Sequence, residues 1–383
     1  RQGVPIAVRS EMHREVPVRL HLRWVGPFLA LVATARLTAN PMELVRQCPV
    51  GSTCKVPIPG MRCADGTAGH VYVTRRTNAE NLLVYLDGGG ACWNRATCRL
   101  GYALRLGAAD LDEPDWENGP GVYNGRDPGN PFARDFSIVN IPYCSGDAHA
   151  GNKWIDYGRD YKVLHQGFRN AALAIDAARE WFPDPRRAVL MGCSAGGIGV
   201  LFHQQRFEAS YPNAKKYVID DGGTPFSPPH VSASQYDAIR RNWGADANMG
   251  TDVYGKPIRD FKTLLYENAR RFPQTRFAFV SSYLDAVMGF FARNIGSSWW
   301  PGVIRHLIVD LADDPRMRDS AAARVFYRPG VVHCLTNRSL SSMQSDGVRL
   351  SDWLTSMVYD DPSWDDVRPD LAYAGRGVYP EGM

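Results

Sequence analysis

Gly192-Cys193-Ser194-Ala195-Gly196-Gly197 decides how this 383-residue chain reads. The six residues contain a G-x-S-x-G. They follow directly on an apolar run, Arg187 to Met191 (RAVLM), and come directly before a helical stretch, Ile198 to Glu208. A sharp strand-to-helix turn needs small residues two places before and two places after a central serine, because it brings the flanking backbones into contact. Glycine at 192, 196 and 197 meets that demand. A lone G-x-S-x-G arises by chance in a chain with 36 glycines. The strand-turn-helix setting gives this one its weight and makes Ser194 the candidate nucleophile, its hydroxyl raised above the sheet.

Upstream, Gly167 to Trp181 places Phe168, Ala171, Leu173, Ile175, Ala178 and Trp181 at helical spacing just before RAVLM, so the unit reads strand-helix-strand. Further strand candidates are Asn81 to Leu86, Phe136 to Ile141, Lys216 to Ile219, Arg276 to Ser281 and Arg324 to Tyr327. From Val71 onward such runs alternate with helical patterns. This predicts an α/β class fold, α/β-hydrolase-like, with a mostly parallel sheet flanked by helices and with loop insertions. Residues 36–70, rich in Pro, Gly and Cys, read as an irregular, disulfide-stapled lead-in. No repeat or low-complexity tract divides the rest, so residues 36–383 are expected to form one catalytic domain.

A serine nucleophile needs a base, an acid and oxyanion donors, and in this architecture the chain order is serine, acid, histidine. Of the histidines after Ser194, His203 lies in the helix leaving the turn, His230 in a Pro-rich loop and His306 in a helical pattern. His333, after a β-rich run, is the expected base. Asp285, after the RFAFVS strand, is the preferred acid, with Asp220 and Asp221 as competitors. Oxyanion donors are expected from the N–H of Ala195, which follows the serine, and from the loop Asp87-Gly88-Gly89-Gly90. That loop lacks the GK[ST] of a phosphate loop. Cys193 reads as structural, and Trp93, Trp154, Trp243, Trp299 and Trp300 are aromatics that could line a site.

The chain is 44% hydrophobic and 22% charged, with a net charge of +4. Most of that charge falls in residues 1–35, where Arg1, Arg9, Arg14, Arg19 and Arg23 face only Glu11 and Glu15. No dense basic run follows, which argues against a nucleic-acid partner. Counted from Met12, the arginines and the apolar stretch Trp24 to Ala35 read as a signal peptide cleaved after Ala35; twelve apolar residues fall short of the roughly 20 that span a bilayer. Residues 1–35 are thus expected to be a signal peptide or N-terminal extension, and the protein secreted or periplasmic, without a membrane span. Eight cysteines, an even number, favour disulfides, with Cys92 and Cys98 the first pair to test. The chain has no CxxC or HxxxH spacing, and neither metal nor cofactor is expected.

These residues resemble the pectin acetylesterases and the related Notum-type carboxylesterases. Cys63-Ala-Asp65-Gly66-Thr67 resembles the family's C-x-D-G-[ST] opening, and Leu86-Asp87-Gly88-Gly89-Gly90-Ala91-Cys92-Trp93 its L-E-G-G-G-W-C block. Tyr143-Cys144-Ser145-Gly146, the serine block itself, Asp220-Asp221-Gly222, Tyr283-Leu284-Asp285 and His333-Cys334 resemble its later blocks, in order. The resemblance implies an α/β-hydrolase fold and metal-independent ester hydrolysis. It assigns Ser194 as nucleophile, His333 as base, Asp285 as orienting acid, and Gly88, Gly89 and Ala195 as oxyanion donors. It makes Asp220 structural. Ala91, or Gly90 in the alternative register, stands where the family keeps a tryptophan, which opens space beside the oxyanion loop, and Gly330 stands where plant members keep a cysteine. The expected activity is a secreted serine carboxylesterase cleaving acyl esters, acetyl in the first instance, on a polysaccharide such as pectin. Alternatives are longer acyl or polyester substrates, or a catalytically silent binding domain. A peptidase of this fold would need a second, gating domain.

Overall fold

A computed structural model of the chain describes residues 40–77, 80–299 and 302–369. Its strands include β1 (Thr53–Arg62), β2 (Ala68–Thr74), β3 (Asn81–Leu86), β4 (Phe136–Ile141), β5 (Lys153–Asp156), β6 (Lys162–His165), β7 (Arg187–Cys193), β8 (Lys215–Asp221), β9 (Arg276–Ser282) and β10 (Ala323–Arg328). Its helices are α1 (Pro41–Gln47), α2 (Arg95–Arg99), α3 (Gly167–Trp181), α4 (Ala195–Ser210), α5 (Ala233–Trp243), α6 (Phe261–Arg271), α7 (Ala286–Asn294), α8 (Val303–Asp313), α9 (Pro315–Arg318) and α10 (Leu350–Val358). Eight strands form one sheet in the order β1-β2-β4-β3-β7-β8-β9-β10, and β5 and β6 form a separate hairpin. From β4 to β10 every pairing is parallel, while β1 and β2 add an antiparallel edge. This is the α/β-hydrolase architecture read from the sequence.

The central strands form because they are apolar on both faces, as a sheet covered on both sides requires. In β3, Leu82, Val84 and Leu86 enter one core, shared with α3 and α4, while Leu83 and Tyr85 enter the other, shared with α10 and with Trp116 and Phe132 of the β3–β4 connection. Helix α4 is buried on nearly every side, which fits a helix held between the sheet and its neighbours. It begins at Ala195, three residues before the expected start. Its opening glycines are required by contact: a Cβ on Gly196 would overlap the carbonyl oxygen of Leu86 at the end of β3.

The lead-in is not irregular. Its residues build α1, β1 and the start of β2, in which Val56, Ile58 and Met61 of β1 turn inward. Pro57 and Pro59 are tolerated because β1 is the sheet's edge, and its pairing with β2 shifts register between Pro57 and Arg62. All eight cysteines are paired: Cys48–Cys54, Cys63–Cys144, Cys92–Cys98 and Cys193–Cys334. No helix among the described residues is long and apolar enough to cross a membrane. The expected signal segment 1–35 and Trp300 lie outside the described residues. Because β3, β4, β7, β8, β9 and β10 run parallel, the loops that follow them gather along one edge of the sheet, where ligands bind in open α/β folds.

Candidate active site

At the end of β7 the chain reverses through Ser194, whose φ of 58° and ψ of −118° lie outside the regions a non-glycine residue prefers. Such strain persists only where surrounding structure holds it. Here the Ser194 N–H donates to the Asp221 carbonyl at 2.8 Å, and the Ser194 carbonyl accepts from the Ile198 N–H at 3.1 Å. The serine therefore caps α4, and the N–H of Ala195 belongs to the first turn, where helix amides have no intrahelical acceptor.

The late part of the chain brings Asp285 and His333 together. His333 Nδ1 and Asp285 Oδ2 are 2.7 Å apart. The other carboxylate oxygen, Oδ1, accepts the N–H groups of Val287 and Met288 and so caps α7. One aspartate thus starts a helix and orients the imidazole, and both bonds fix its buried side chain. With Nδ1 committed, His333 presents Nε2, which is buried and has no hydrogen-bond partner among the described residues. The Cys193–Cys334 disulfide joins the residue before Ser194 to the residue after His333. Ring and sulfurs approach within 4.8 Å of one another, but sulfurs bonded to each other offer no thiolate to a metal.

Asp220 and Asp221, the competing acids, do other work. Asp221 Oδ1 accepts the Leu335 N–H at 3.0 Å, and Oδ2 accepts the Thr336 N–H at 2.7 Å and its hydroxyl at 2.6 Å, so the carboxylate straps down the loop behind His333. Burial pushes its pKa up to about 6. Asp220 accepts the Gly223 N–H at 2.8 Å within its own turn, and burial pushes it well above the usual carboxylate range. His203, His230 and His306 lie elsewhere: His203 bonds the His149 carbonyl, His230 faces Asp310 and His306 packs on Trp299.

The glycine loop lies against the serine. A Cβ on Gly88 would come within 2.6 Å of the Cys193 carbonyl oxygen and 3.0 Å of Ser194 Cβ, so only glycine permits this approach. The N–H of Asp87 donates to Ile141, that of Ala91 to Tyr102 and that of Cys92 to Gly146. Those of Gly88, Gly89 and Gly90 have no acceptor among the described residues. Sequence reasoning missed the group that braces the first of them. His149 Nε2 donates to the Asp87 carbonyl at 2.9 Å, and its ring packs on Tyr143, 4.8 Å between centroids, which itself lies beside Gly89. Burial lowers the His149 pKa to about 4, so the ring is neutral at ordinary pH. Ala148 and His149 both hold positive φ, 52° and 56°. The only sequence signal was the glycine- and polar-rich loop after β4; the search for a base looked past it because it precedes Ser194.

Beside Ser194 and Ala195 opens a pocket with an apolar wall: Gly90, Ala91, Trp93, Ala148, Ile198, Phe226, Tyr236, Ile239, Trp243, Phe261, Met288, Phe291 and Ile295. Of the tryptophans singled out, Trp93 and Trp243 line it, whereas Trp154 and Trp299 are exposed.

Residues 52–245, just over half of the chain, match the sequence model of the pectinacetylesterase family; the match covers Ser194 and the glycine loop and stops short of Asp285 and His333. Among curated proteins, a palmitoleoyl-protein carboxylesterase, notum2, of Xenopus laevis is 28% identical over 153 residues, 38% of this chain and 30% of that protein. Pectin acetylesterase 5 of Arabidopsis thaliana is 28% identical over 204 residues, 52% of this chain and 47% of that one. The chain thus spans less than half the length of these curated relatives. Among solved structures, the Wnt deacylase Notum from Drosophila superposes with a TM-score of 0.62 at 18% identity, covering 81% of this chain and 93% of the other, a likeness of fold.

Proposed function

The chain belongs to the pectinacetylesterase family, and from that premise we propose that it is a serine carboxylesterase in which Ser194, His333 and Asp285 act as a triad. The observation that carries this reading is the Asp285–His333 pair, whose unpartnered Nε2 sits on a loop tied by a disulfide to the residue before Ser194. His333 Nε2 takes the Ser194 proton as the serine oxygen attacks the acyl carbonyl. The oxyanion rests on the N–H groups of Gly88, Gly89 and Ala195. As the tetrahedral intermediate collapses, His333 returns the proton to the departing alcohol. Water, activated by the same nitrogen, then releases the acid and restores the serine. Asp285 holds the ring and stabilises its charged form.

The acyl group enters the apolar pocket. An acetyl ester on a polysaccharide is the reading the pectin acetylesterase relatives suggest. The pocket favours a second: an acetyl methyl would leave most of that wall bare, whereas each further methylene buried against it stabilises the complex by about 0.8 kcal/mol. Ala91, small at the loop's edge, is part of that room. Four disulfides fit an oxidising compartment, and we place the protein outside the cytoplasm.

Hydrolysis of nitrophenyl esters from acetate to palmitate, with a serine-directed phosphonate as a second probe, tests both points. Ser194→Ala is expected to lower kcat by roughly 10⁴-fold or more and to abolish labelling. A maximum beyond acetate would support the longer acyl group, and a maximum at acetate the polysaccharide acetyl ester. Absence of both turnover and labelling in the native protein would leave the silent binding domain as the better account.

A further inference from the structure

Single exposed apolar side chains are normal on a protein surface; a group of them on one face is not. Among the described residues eleven large apolar side chains are exposed, and five of them, Leu100, Leu104, Val287, Phe290 and Val331, sit on three segments attached to the site. Leu100 and Leu104 are 73% and 71% exposed. The Leu104 N–H donates to the Gly89 carbonyl at 2.9 Å, so this loop braces the oxyanion loop. Tyr102, between the two leucines, packs on the Phe290 ring at 5.1 Å, and its hydroxyl donates to Asn294 Oδ1. Val287 and Phe290 lie one turn apart on α7, the helix that Asp285 caps. The Ala286 N–H donates to the carbonyl of Val331, two residues before His333. These contacts make one band running past the oxyanion loop, the acid and the base. Phe291, next to Phe290, lines the pocket behind it.

The charge of these segments has one sign. Residues 94–105, 286–294 and 328–342 hold Arg95, Arg99, Arg105, Arg293, Arg328 and Arg338 and not one Asp or Glu, in a chain whose whole net charge is +4. Arg105 faces Asp112 at 3.4 Å; the other five are in no ion pair among the described residues. Arg99 directly precedes Leu100, and Arg293 is one turn from Phe290; both are exposed.

We propose that this band docks the protein onto an anionic lipid–water interface, with the leucines and Phe290 entering the acyl boundary and Arg99 and Arg293 meeting the headgroups. Delivery of an acyl chain from that surface into the pocket rests on the esterase reading above; the docking does not. An anionic polysaccharide would satisfy the arginines but leave Leu100, Leu104 and Val331 in water. A lipid surface takes both halves of the band.

The test is co-sedimentation of the full chain carrying Ser194→Ala, so that catalysis plays no part, with vesicles of phosphatidylcholine alone or mixed with phosphatidylglycerol, at low and high salt. The expected result is binding to the mixed vesicles that salt weakens, that Arg99→Gln with Arg293→Gln weakens several-fold, and that Leu104→Ser with Phe290→Ser weakens roughly tenfold or more. All four side chains lie outside the catalytic groups, and each variant's melting temperature verifies its fold. No binding to either vesicle would overturn the proposal. So would binding indifferent to the apolar pair, or arginine-dependent retention on polygalacturonate without vesicle binding. Hydrolysis of soluble esters reports separately on the esterase reading.

Discussion

A carbonyl and the N–H that follows it point to opposite sides of one rigid peptide plane, so whatever anchors the Asp87 carbonyl also aims the Gly88 N–H. His149 is that anchor: a carbonyl only accepts, so the proton of the ring, which burial holds neutral, sits on Nε2. His149→Leu is therefore expected to lower kcat by about ten- to a hundredfold with KM within about twofold, since an oxyanion donor acts only on the charge of the transition state. The rate of phosphonate labelling should fall in parallel, and His149→Gln, whose amide can still donate, should restore part of both. A loss of melting temperature with kcat preserved would reduce His149 to packing. The contrast with Asp285 shows what a sequence makes legible. Asp285 and His333 follow strand ends in the order this architecture fixes, so their pairing could be anticipated. His149 depends on two successive residues at positive φ, Ala148 and His149, a conformation uncommon for any non-glycine residue and rarer still for alanine.

Between elements, two devices hold the His333 loop against the turn at Ser194: the Cys193–Cys334 disulfide from the end of β7, and the three hydrogen bonds of Asp221 from the end of β8. They act on different states. The disulfide closes a separation of 141 residues and so chiefly restricts the unfolded chain, whereas Asp221 acts only on the folded loop. Replacing both cysteines with serine is expected to lower the unfolding free energy by about 4 kcal/mol while kcat stays within about tenfold. Denaturant titration and initial rates measure the two effects. A dead enzyme of undiminished stability would transfer the positioning role to the disulfide. The same strand ends mark where reading of elements succeeds. Strands β3 and β4 were legible to the residue because burial on both faces makes them mostly apolar, even though β4 buries Ser137 and Asn140. Strand β8 runs on through Asp220 and Asp221, past the expected end at Ile219. Acids disfavour strands, and only the amides of a distant loop make Asp221 tolerable there. Strand β1 was missed because prolines read as loop, and nothing local says that this segment lies at an edge.

Across the whole molecule, burial has shifted titrating groups in both directions, and the two sets oppose each other. His70, His149 and His165 are lowered to about 4 and His203 to about 3, each chiefly by burial. In the unfolded chain they titrate near about 6.5. As pH falls below that value the unfolded chain takes up protons that the folded one refuses, and stability is lost. Asp87, Asp147 and Asp221 are raised to about 6, again chiefly by burial. Between about 6 and the unfolded value near 3.9, the folded chain holds protons that the unfolded one lacks. Their contribution is full at low pH and lost as pH rises through 6. Across the window from about 6 to 4 the two slopes have opposite sign, so the melting temperature should change little with pH. Removing one member of the basic set exposes the balance. His70 suits this because its Nε2 has no hydrogen-bond partner and its ring packs edge-on against Tyr72 at 4.9 Å, a contact phenylalanine preserves. His70→Phe is expected to raise the melting temperature, and to raise it more near about pH 4.5 than near about pH 8, where the native and unfolded histidines are both neutral. Differential scanning at the two pH values reads the difference. An equal offset at both would mean that folded His70 takes up its proton as readily as the unfolded chain does, and the histidine side of the balance would then rest on His149, His165 and His203.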